Sequence, residues 1–249
     1  MAKRFFVNEK DIQISDNNIG IIGEEVHHIN VLRHKIGDEI RINEFLVEII
    51  TINQNQITGI IKETENNETN TNVAITLYQS YIKSDKMEFV IQKAVELGVS
   101  KIVPFLSKNC VVKLDDKDKL KKVERLNKIS IEASKQCNRN DIVQVEDIID
   151  IKDKEMFISS LNSNDVNIFA YEKSNRSLKD VILNIQSKYE NQKISIGIII
   201  GPEGGFDTAD IETILKANNI YEVSLGKRIL RAETASLNLL SILNYIFEN

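Results

Sequence analysis

Two loops near the carboxyl end of the chain carry the residue types most suited to binding and chemistry. Residues 201–205 read Gly-Pro-Glu-Gly-Gly, and residues 225–235 read Leu-Gly-Lys-Arg-Ile-Leu-Arg-Ala-Glu-Thr-Ala. Glycine adopts positive φ and lets another molecule approach the backbone closely. Open α/β sheets bind ligands at sharp turns that follow buried parallel strands. The two loops therefore predict the walls of a pocket that is read largely by backbone groups.

The absence of several motifs excludes some ligands and reactions for this pocket. The sequence contains neither the phosphate-binding pattern G-x-x-x-x-G-K-S/T nor the dinucleotide pattern G-x-G-x-x-G. Every histidine precedes residue 35, so Ser-His-Asp and Cys-His catalysis are excluded from the second half of the chain. His27 and His28 point apart on a helix, and Cys110 and Cys137 lack zinc-ligand spacing, so we expect no metal site.

Three segments with strand patterns end immediately before candidate pocket turns. They cover residues 166–171, 193–200 and 221–225. The middle segment contains a run of isoleucine typical of a strand that is buried on both faces. Because strand patterns alternate with helix patterns here, we expect a parallel sheet. Its strand ends near Tyr171, Gly201 and Leu225 should meet at one edge.

Helix patterns complete this second part of the chain. Asp207 or Thr208 is placed to cap the helix after the glycine turn, and Asp210 adds a carboxylate to its first turn. Helices are predicted for residues 84–97, 115–136, 177–189, 209–217 and 234–247, with strands at 73–82 and 102–105 and a helix or mixed loop at 147–161. The last helix is apolar nearly all round, which predicts a homodimer formed through it.

Residues 1–70 have a different pattern, which predicts a small β-barrel. Short β-branched segments occur near residues 5–7, 19–22, 39–42, 47–52 and 56–61, with one helix at 24–34. Residues 63–72 contain no apolar side chain and form the clearest linker. The sequence therefore predicts two domains, at residues 1–70 and 73–249.

Composition is that of a globular protein, since 42% of the 249 residues are hydrophobic and 28% are charged. The net charge of −5 lies entirely within residues 1–72. An RNA contact must then come from local clusters such as Arg4, Arg33 and Lys35, for which a solvated face is the alternative interpretation. The N-terminus has no apolar signal segment and no apolar run is long enough for a membrane span, so a reducing cytoplasm is expected.

Taken together, the two loops closely resemble the RsmE family, the 16S ribosomal RNA uracil-N3 methyltransferases of the SPOUT class. The resemblance extends over nearly the whole chain, through Arg4-Phe5-Phe6, His28 with Val31-Leu32-Arg33, residues 93–99 and residues 132–139. It implies a PUA-like β-barrel RNA-binding domain followed by a SPOUT α/β domain with a mostly parallel sheet and a deep trefoil knot. It also implies a homodimer whose active site spans both subunits.

The resemblance further implies that S-adenosyl-L-methionine is the cofactor and that three loops bind it. The cofactor residues that it predicts are Ala170, Tyr171, Glu172, Gly201, Pro202, Glu203, Gly204, Gly205, Leu225, Gly226, Arg228, Ile229, Leu230 and Ala232. The reaction that the resemblance implies is methyl transfer to N3 of a specific uridine in 16S ribosomal RNA. Because the methyl group arrives activated, the protein has only to align the reactants and stabilise charge.

Roles for individual side chains follow from that reaction. The charge that develops on the uracil carbonyl oxygens predicts catalytic roles for Arg231 and Arg139, and Glu203 and Glu233 are the candidate proton acceptors. For Glu233 a helix cap or an arginine pair is an equally good interpretation. The predicted RNA-binding residues are Arg4, Arg33, Lys35, Gln136, Arg139 and Arg228. The acidic N-terminal domain favours an assembled small ribosomal subunit over naked RNA as the partner.

Three alternatives remain open. One is another SPOUT enzyme that methylates transfer RNA, against which the N-terminal domain argues. The second is a non-catalytic RNA-binding protein with a degenerate cofactor site. The glycines of both loops argue against this second alternative, on the expectation that only close approach of a ligand to the backbone requires them together. The third is a nucleotide-binding regulatory protein.

Overall fold

The structure is a computed structural model that describes residues 2–65, 72–190 and 192–247. Contacts divide the chain into two compact units. The first comprises the described residues of Met1–Thr69 together with Ser134–Ile142, and the second comprises those of Asn70–Ala133 and Val143–Asn249. Part of the predicted linker, residues 66–71, lies outside the described residues.

The first unit is built on a barrel-like sheet. Its elements are β1 (Lys3–Phe5), a 3₁₀ turn (Glu9–Asp11), β2 (Ile12–Ser15), β3 (Asn18–Ile22), α1 (Glu24–Val31), β4 (Glu39–Ile42), β5 (Phe45–Ile52) and β6 (Gln56–Thr64). The strands follow the order β1-β4-β5-β6-β3-β2, antiparallel except between β1 and β4. Alternating side chains of these strands, such as Ile19, Ile21, Ile40 and Ile42, enclose its core.

The second unit alternates strands with helices. Its elements are β7 (Val73–Ser80), α2 (Ser84–Glu96), β8 (Lys101–Leu106), α3 (Asp116–Gln136), β9 (Gln144–Val145), β10 (Ile149–Asp150), α4 (Lys154–Asn162), β11 (Val166–Ala170), α5 (Leu178–Lys188), β12 (Ile194–Ile200), α6 (Thr208–Ile214), β13 (Ile220–Val223) and α7 (Ala232–Phe247). The last three residues of α3 belong to the first unit.

Every strand pair described in the second unit is parallel. The strand order is β10-β8-β7-β12-β11-β13, and β9 pairs with β8. Because β12, β11 and β13 are neighbours, their carboxyl ends lie at one edge, as the sequence predicted. The α/β class with a mostly parallel sheet and a small β domain is confirmed, while the trefoil knot stays a prediction.

Helix α7 packs against α2, β7 and β12. Its Leu239, Leu240 and Leu243 are fully buried, and the Ser236 hydroxyl donates to Oε1 of Gln79 on β7 at 2.5 Å. Tyr245 on the same helix is exposed. Within the described ranges, no helix is both long enough and apolar enough to cross a membrane.

The sequence located most elements within a few residues but missed some. Strand β2 was not predicted, because Ile12 and Ile14 are its only apolar residues and Ile14 is half exposed. Residues 147–161, predicted as a helix or mixed loop, contain the short strand β10 and helix α4. Helix α1 ends earlier than predicted, since Arg33 adopts a φ of 60° that an α-helix excludes.

Candidate active site

Loops that follow β11, β12 and β13 enclose a cavity of about 600 Å³ at the carboxyl edge of the sheet. We name residues 201–205 the glycine loop and residues 225–231 the basic loop. The cavity is lined by Lys86, Ala170, Tyr171, Glu172, Ile200, Gly201, Pro202, Glu203, Gly204, Gly205, Phe206, Ser224, Leu225, Gly226, Lys227, Arg228, Ile229, Leu230, Arg231, Ala232 and Ala235. The lining combines loop backbone, apolar side chains and charges of both signs.

All the residues that the sequence assigned to cofactor binding are in this lining. The first loop supplies Ala170, Tyr171 and Glu172, and the two named loops and Ala232 supply the remainder. The structure thus brings together three segments that are far apart in the sequence. Their contact with a cofactor stays a prediction.

The fold itself favours glycine at four positions in these loops. A Cβ atom on Gly201 would lie 2.6 Å from the ring of Phe206, and one on Gly204 would lie 3.2 Å from the carbonyl oxygen of Asn109. Gly205 and Gly226 have φ values of 72° and 121°, which other residues rarely adopt. The expectation that only a ligand requires these glycines is therefore wrong.

The segment after β8 braces the glycine loop and the start of α6. Asn109 Nδ2 donates to the carbonyl oxygen of Gly205 at 3.1 Å. Asp207 caps α6, as predicted, by accepting from the backbone nitrogen of Ala209 at 3.0 Å. The Lys108 ammonium lies 3.0 Å from the other Asp207 oxygen and, with that cap, holds the pKa of Asp207 below its usual value.

Asp210 has a role that its sequence position did not reveal. The sequence placed it in the first turn of α6, where a carboxylate complements the helix dipole. In the structure its side chain is buried and accepts from the backbone nitrogen of Lys108 at 3.0 Å. Burial raises the pKa of Asp210, and the Lys108 N–H opposes this effect in part.

Lys86 is a cavity residue that the sequence analysis missed. Its ammonium nitrogen lies 3.2 Å from Oε1 of Glu233 and 4.0 Å from Oε1 of Glu203. The sequence held one signal, since Lys86 is in the first turn of α2, where the helix dipole disfavours a cation. Such a position calls for a carboxylate partner elsewhere in the fold.

The predicted catalytic residues fall into two groups. Arg231 and Glu203 line the cavity, and Glu233 reaches the lining through Lys86. Arg139 belongs to the first unit, where its guanidinium binds Asp141 at 3.0 and 3.1 Å. Within the described chain, no cluster of three or more His, Cys, Asp or Glu side chains is placed to hold a metal ion.

The burial of Arg4 argues against the prediction that this residue binds RNA. Its side chain is buried and donates to the carbonyl oxygen of Asn43 at 2.5 Å, to Glu65 at 2.6 Å and to Asn138 at 3.3 Å. A guanidinium so enclosed is unsuited to a phosphate contact, because its donors are already used inside the protein.

The other predicted RNA-binding residues have more accessible positions. Arg33 and Lys35 lie exposed after α1, and Gln136 is exposed at the end of α3. Arg228 is exposed in the basic loop, and Arg139 is half-buried beside Asp141. Their contact with RNA stays a prediction.

The sequence and the fold match known proteins over most of the chain. Residues 69–244 match the family model of the RNA methyltransferase domain. A solved ribosomal RNA small subunit methyltransferase E from Neisseria gonorrhoeae, bound to S-adenosyl methionine, superposes with a TM-score of 0.80 at 26% identity and covers 99% of this chain and 98% of its own. The fold and cavity thus define an RNA methyltransferase of the SPOUT class.

Two curated relatives identify the family within this class of enzymes. Ribosomal RNA small subunit methyltransferase E of Bacillus subtilis is 32% identical over 250 residues, which cover 98% of this chain and 96% of the relative. The enzyme of the same name from Mesomycoplasma hyopneumoniae is 35% identical over 240 residues, covering 96% and 97%. The chain belongs to the RsmE family, the ribosomal RNA small subunit methyltransferases E.

Proposed function

We propose that this protein uses S-adenosyl-L-methionine to methylate N3 of a specific uridine in 16S ribosomal RNA. The observation that carries the proposal is the cavity at the carboxyl edge of the sheet, which three loops enclose and which Arg228 and Arg231 line. The family relationship supports the ribosomal substrate, and the cations of the basic loop support an anionic one.

The cavity suits S-adenosylmethionine in size and chemistry. Its volume of about 600 Å³ is typical of sites for small ligands and cofactors. Tyr171 and Leu225 offer apolar contact to an adenine ring, and the loop backbones offer hydrogen bonds. Glu172 and Glu203 provide negative charge that complements a sulfonium cation. When bound, the cofactor would supply an activated methyl group.

The chain's own groups have two tasks in this reaction. Loss of the uracil N3 proton places negative charge on the flanking carbonyl oxygens, and Arg231 is placed in the lining to stabilise it. A general base must accept the proton. We assign that role to Glu203, which lines the cavity and lies farther from Lys86, at 4.0 Å, than Glu233, at 3.2 Å. The second carboxylate oxygen of Glu233 is buried.

We extend the proposal to the two domains. The first unit, which includes Ser134–Ile142, serves as a PUA-like RNA-binding domain through Arg33, Lys35, Gln136 and Arg139. The remainder of residues 73–249 forms the methyltransferase domain. The target base has to leave its stack to reach the methyl donor. The acidity of residues 1–72 favours an assembled small subunit, in which other contacts position the RNA. Because small subunits are present in the cytoplasm, we propose the cytoplasm as the site of action.

We also propose that the protein forms a homodimer through α7. Tyr245 of α7 and Phe89 of the adjacent helix α2 are exposed by 78% and 45% of their surface. Large exposed aromatic groups on neighbouring helices are typical of an interface.

Two measurements test the proposed function. Calorimetry of the purified protein should show binding of S-adenosylmethionine and of its demethylated product. Absence of both affinities would refute the assignment of the protein as an enzyme and would favour a non-catalytic alternative. Mass spectrometry of ribosomal RNA from a deletion strain should show loss of one N3-methyluridine from the small subunit. Persistence of every such residue would refute the substrate assignment.

A further inference from the structure

Lys86 lines the cavity and faces carboxylates from two separate segments. Its ammonium nitrogen faces Glu233 at 3.2 Å and Glu203 at 4.0 Å. Glu203 belongs to the glycine loop, and Glu233 lies in the first turn of α7, directly after the basic loop. A single ammonium group from α2 therefore faces a carboxylate associated with each loop.

The partial burial of Lys86 and Glu233 strengthens the attraction between their charges. The side chain of Lys86 is 27% exposed and that of Glu233 only 15%, so solvent screens their attraction less than at an open surface. Oε2 of Glu233 is buried and has no hydrogen-bond partner in the part of the chain that the structure describes. Without Lys86, a largely buried carboxylate would lose its compensating charge.

We propose that Lys86 is a positioning residue of the cofactor site, an inference that rests on the proposed function. Its ammonium cancels the repulsion between Glu203 and Glu233 and so holds the glycine loop and the basic loop at the separation that admits S-adenosylmethionine. The other charged side chains of the cavity are Glu172, Lys227, Arg228 and Arg231.

The test is calorimetry of S-adenosylmethionine binding to the full chain and its Lys86→Met and Lys86→Arg variants. We expect Lys86→Met to weaken binding about tenfold, as for the loss of one partly buried charge pair. Lys86→Arg should restore most of the affinity, because it keeps the charge. Lys93→Met is the matched control on the same helix, since Lys93 pairs with Glu96 within α2. Its affinity should stay within about twofold of wild type.

A second substitution separates positioning from a direct cofactor contact. Adding Glu233→Gln to Lys86→Met should recover affinity, because it removes one of the two repelling charges and keeps the charge of Glu203 that faces the sulfonium. A loss of affinity that this second substitution leaves unchanged would overturn the inference, as would a Lys86→Met chain that binds like wild type.

Controls for folding and function complete the experiment. Thermal unfolding shows whether each variant folds. If Lys86→Met does not fold, Lys86→Gln replaces it, because glutamine keeps a hydrogen-bond donor for Glu233. A wild-type protein that fails to bind S-adenosylmethionine would refute the proposed function and the inference with it. If wild type binds and Lys86→Met binds equally well, only the role of Lys86 is refuted.

Discussion

The carboxylate of Asp210 accepts a hydrogen bond from the backbone nitrogen of Lys108 at 3.0 Å, and this contact joins α6 to the segment after β8. The same segment supports the glycine loop through Asn109 and Gly205. A buried carboxylate thus helps to hold one wall of the cavity in place.

Replacement of Asp210 by Asn should change how stability depends on pH. Burial raises the pKa of Asp210 above its ordinary value of 3.8, so ionisation costs stability as the pH rises through the folded-state pKa. Asparagine avoids that cost and still offers an oxygen to the Lys108 N–H. The melting temperature of Asp210→Asn, relative to wild type, should therefore rise between acidic and neutral pH.

Asp207→Asn is the matched control for this measurement. The Lys108 ammonium lowers the pKa of Asp207, so its contribution is present above the ordinary pKa and is lost as the pH falls through the folded-state value. The melting temperature of Asp207→Asn relative to wild type should fall between acidic and neutral pH. Parallel pH profiles for the two variants would contradict the assigned environments.

Arg231→Ala should abolish most methyl transfer and leave the fold intact. Arg231 is an exposed residue in the cavity lining, so its removal leaves no buried charge. Loss of one group that stabilises charge in a transition state lowers kcat by about 10² to 10³. A radiolabelled methyl-transfer assay on small subunits measures the effect, and Arg125→Ala, which breaks an exposed pair with Glu88, provides the control. Unchanged turnover in Arg231→Ala would remove this arginine from the mechanism.

Gly201→Ala should destabilise the protein through a steric clash. The new Cβ would lie 2.6 Å from the Phe206 ring, and overpacking of this kind costs roughly 1–3 kcal/mol. Chemical denaturation measures the loss, which Phe206→Leu in the same chain should partly relieve. Gly20→Ala is the control, because the nearest neighbouring atom there is at an ordinary 3.5 Å. Equal stability of Gly201→Ala and wild type would show that the loop adapts to the clash.

Tyr245→Asp should weaken the proposed homodimer. A charge placed in an apolar interface is costly to desolvate, whereas the same charge on a free surface is not. Sedimentation equilibrium measures the monomer fraction. Leu183→Asp provides the control, since Leu183 is an exposed apolar residue of α5, outside the proposed interface. A wild-type protein that sediments as a monomer at all concentrations would refute the dimer.

Local patterns were sufficient to predict most of the second unit. Isoleucine-rich β12, the Asp207 cap and the apolar stripe of α2 each depend on residues that are adjacent in the sequence or one helical turn apart. Such signals act within a segment and need no knowledge of distant contacts. The order of the strands then brought the three predicted loops to one cavity.

The errors concern groups whose partners lie far away in the sequence. Lys86 meets Glu203 and Glu233 across more than a hundred residues, and no periodic pattern records that contact. From the sequence, Asp210 was interpreted as a carboxylate in the first turn of a helix. Its burial could not be predicted, because it depends on the distant segment after β8. Two glycines that suggested a ligand are explained equally by neighbouring side-chain and backbone atoms.

The burial of Arg4 also determines when the first unit can finish folding during translation. Its guanidinium binds Asn43, Glu65 and Asn138, and the segment Ser134–Ile142 belongs to the first compact unit. The bond to Asn138 can form only after translation has passed that residue and the ribosome has released it. The strands of the first unit are encoded first, but the unit is complete only when more than half of the chain has been synthesised.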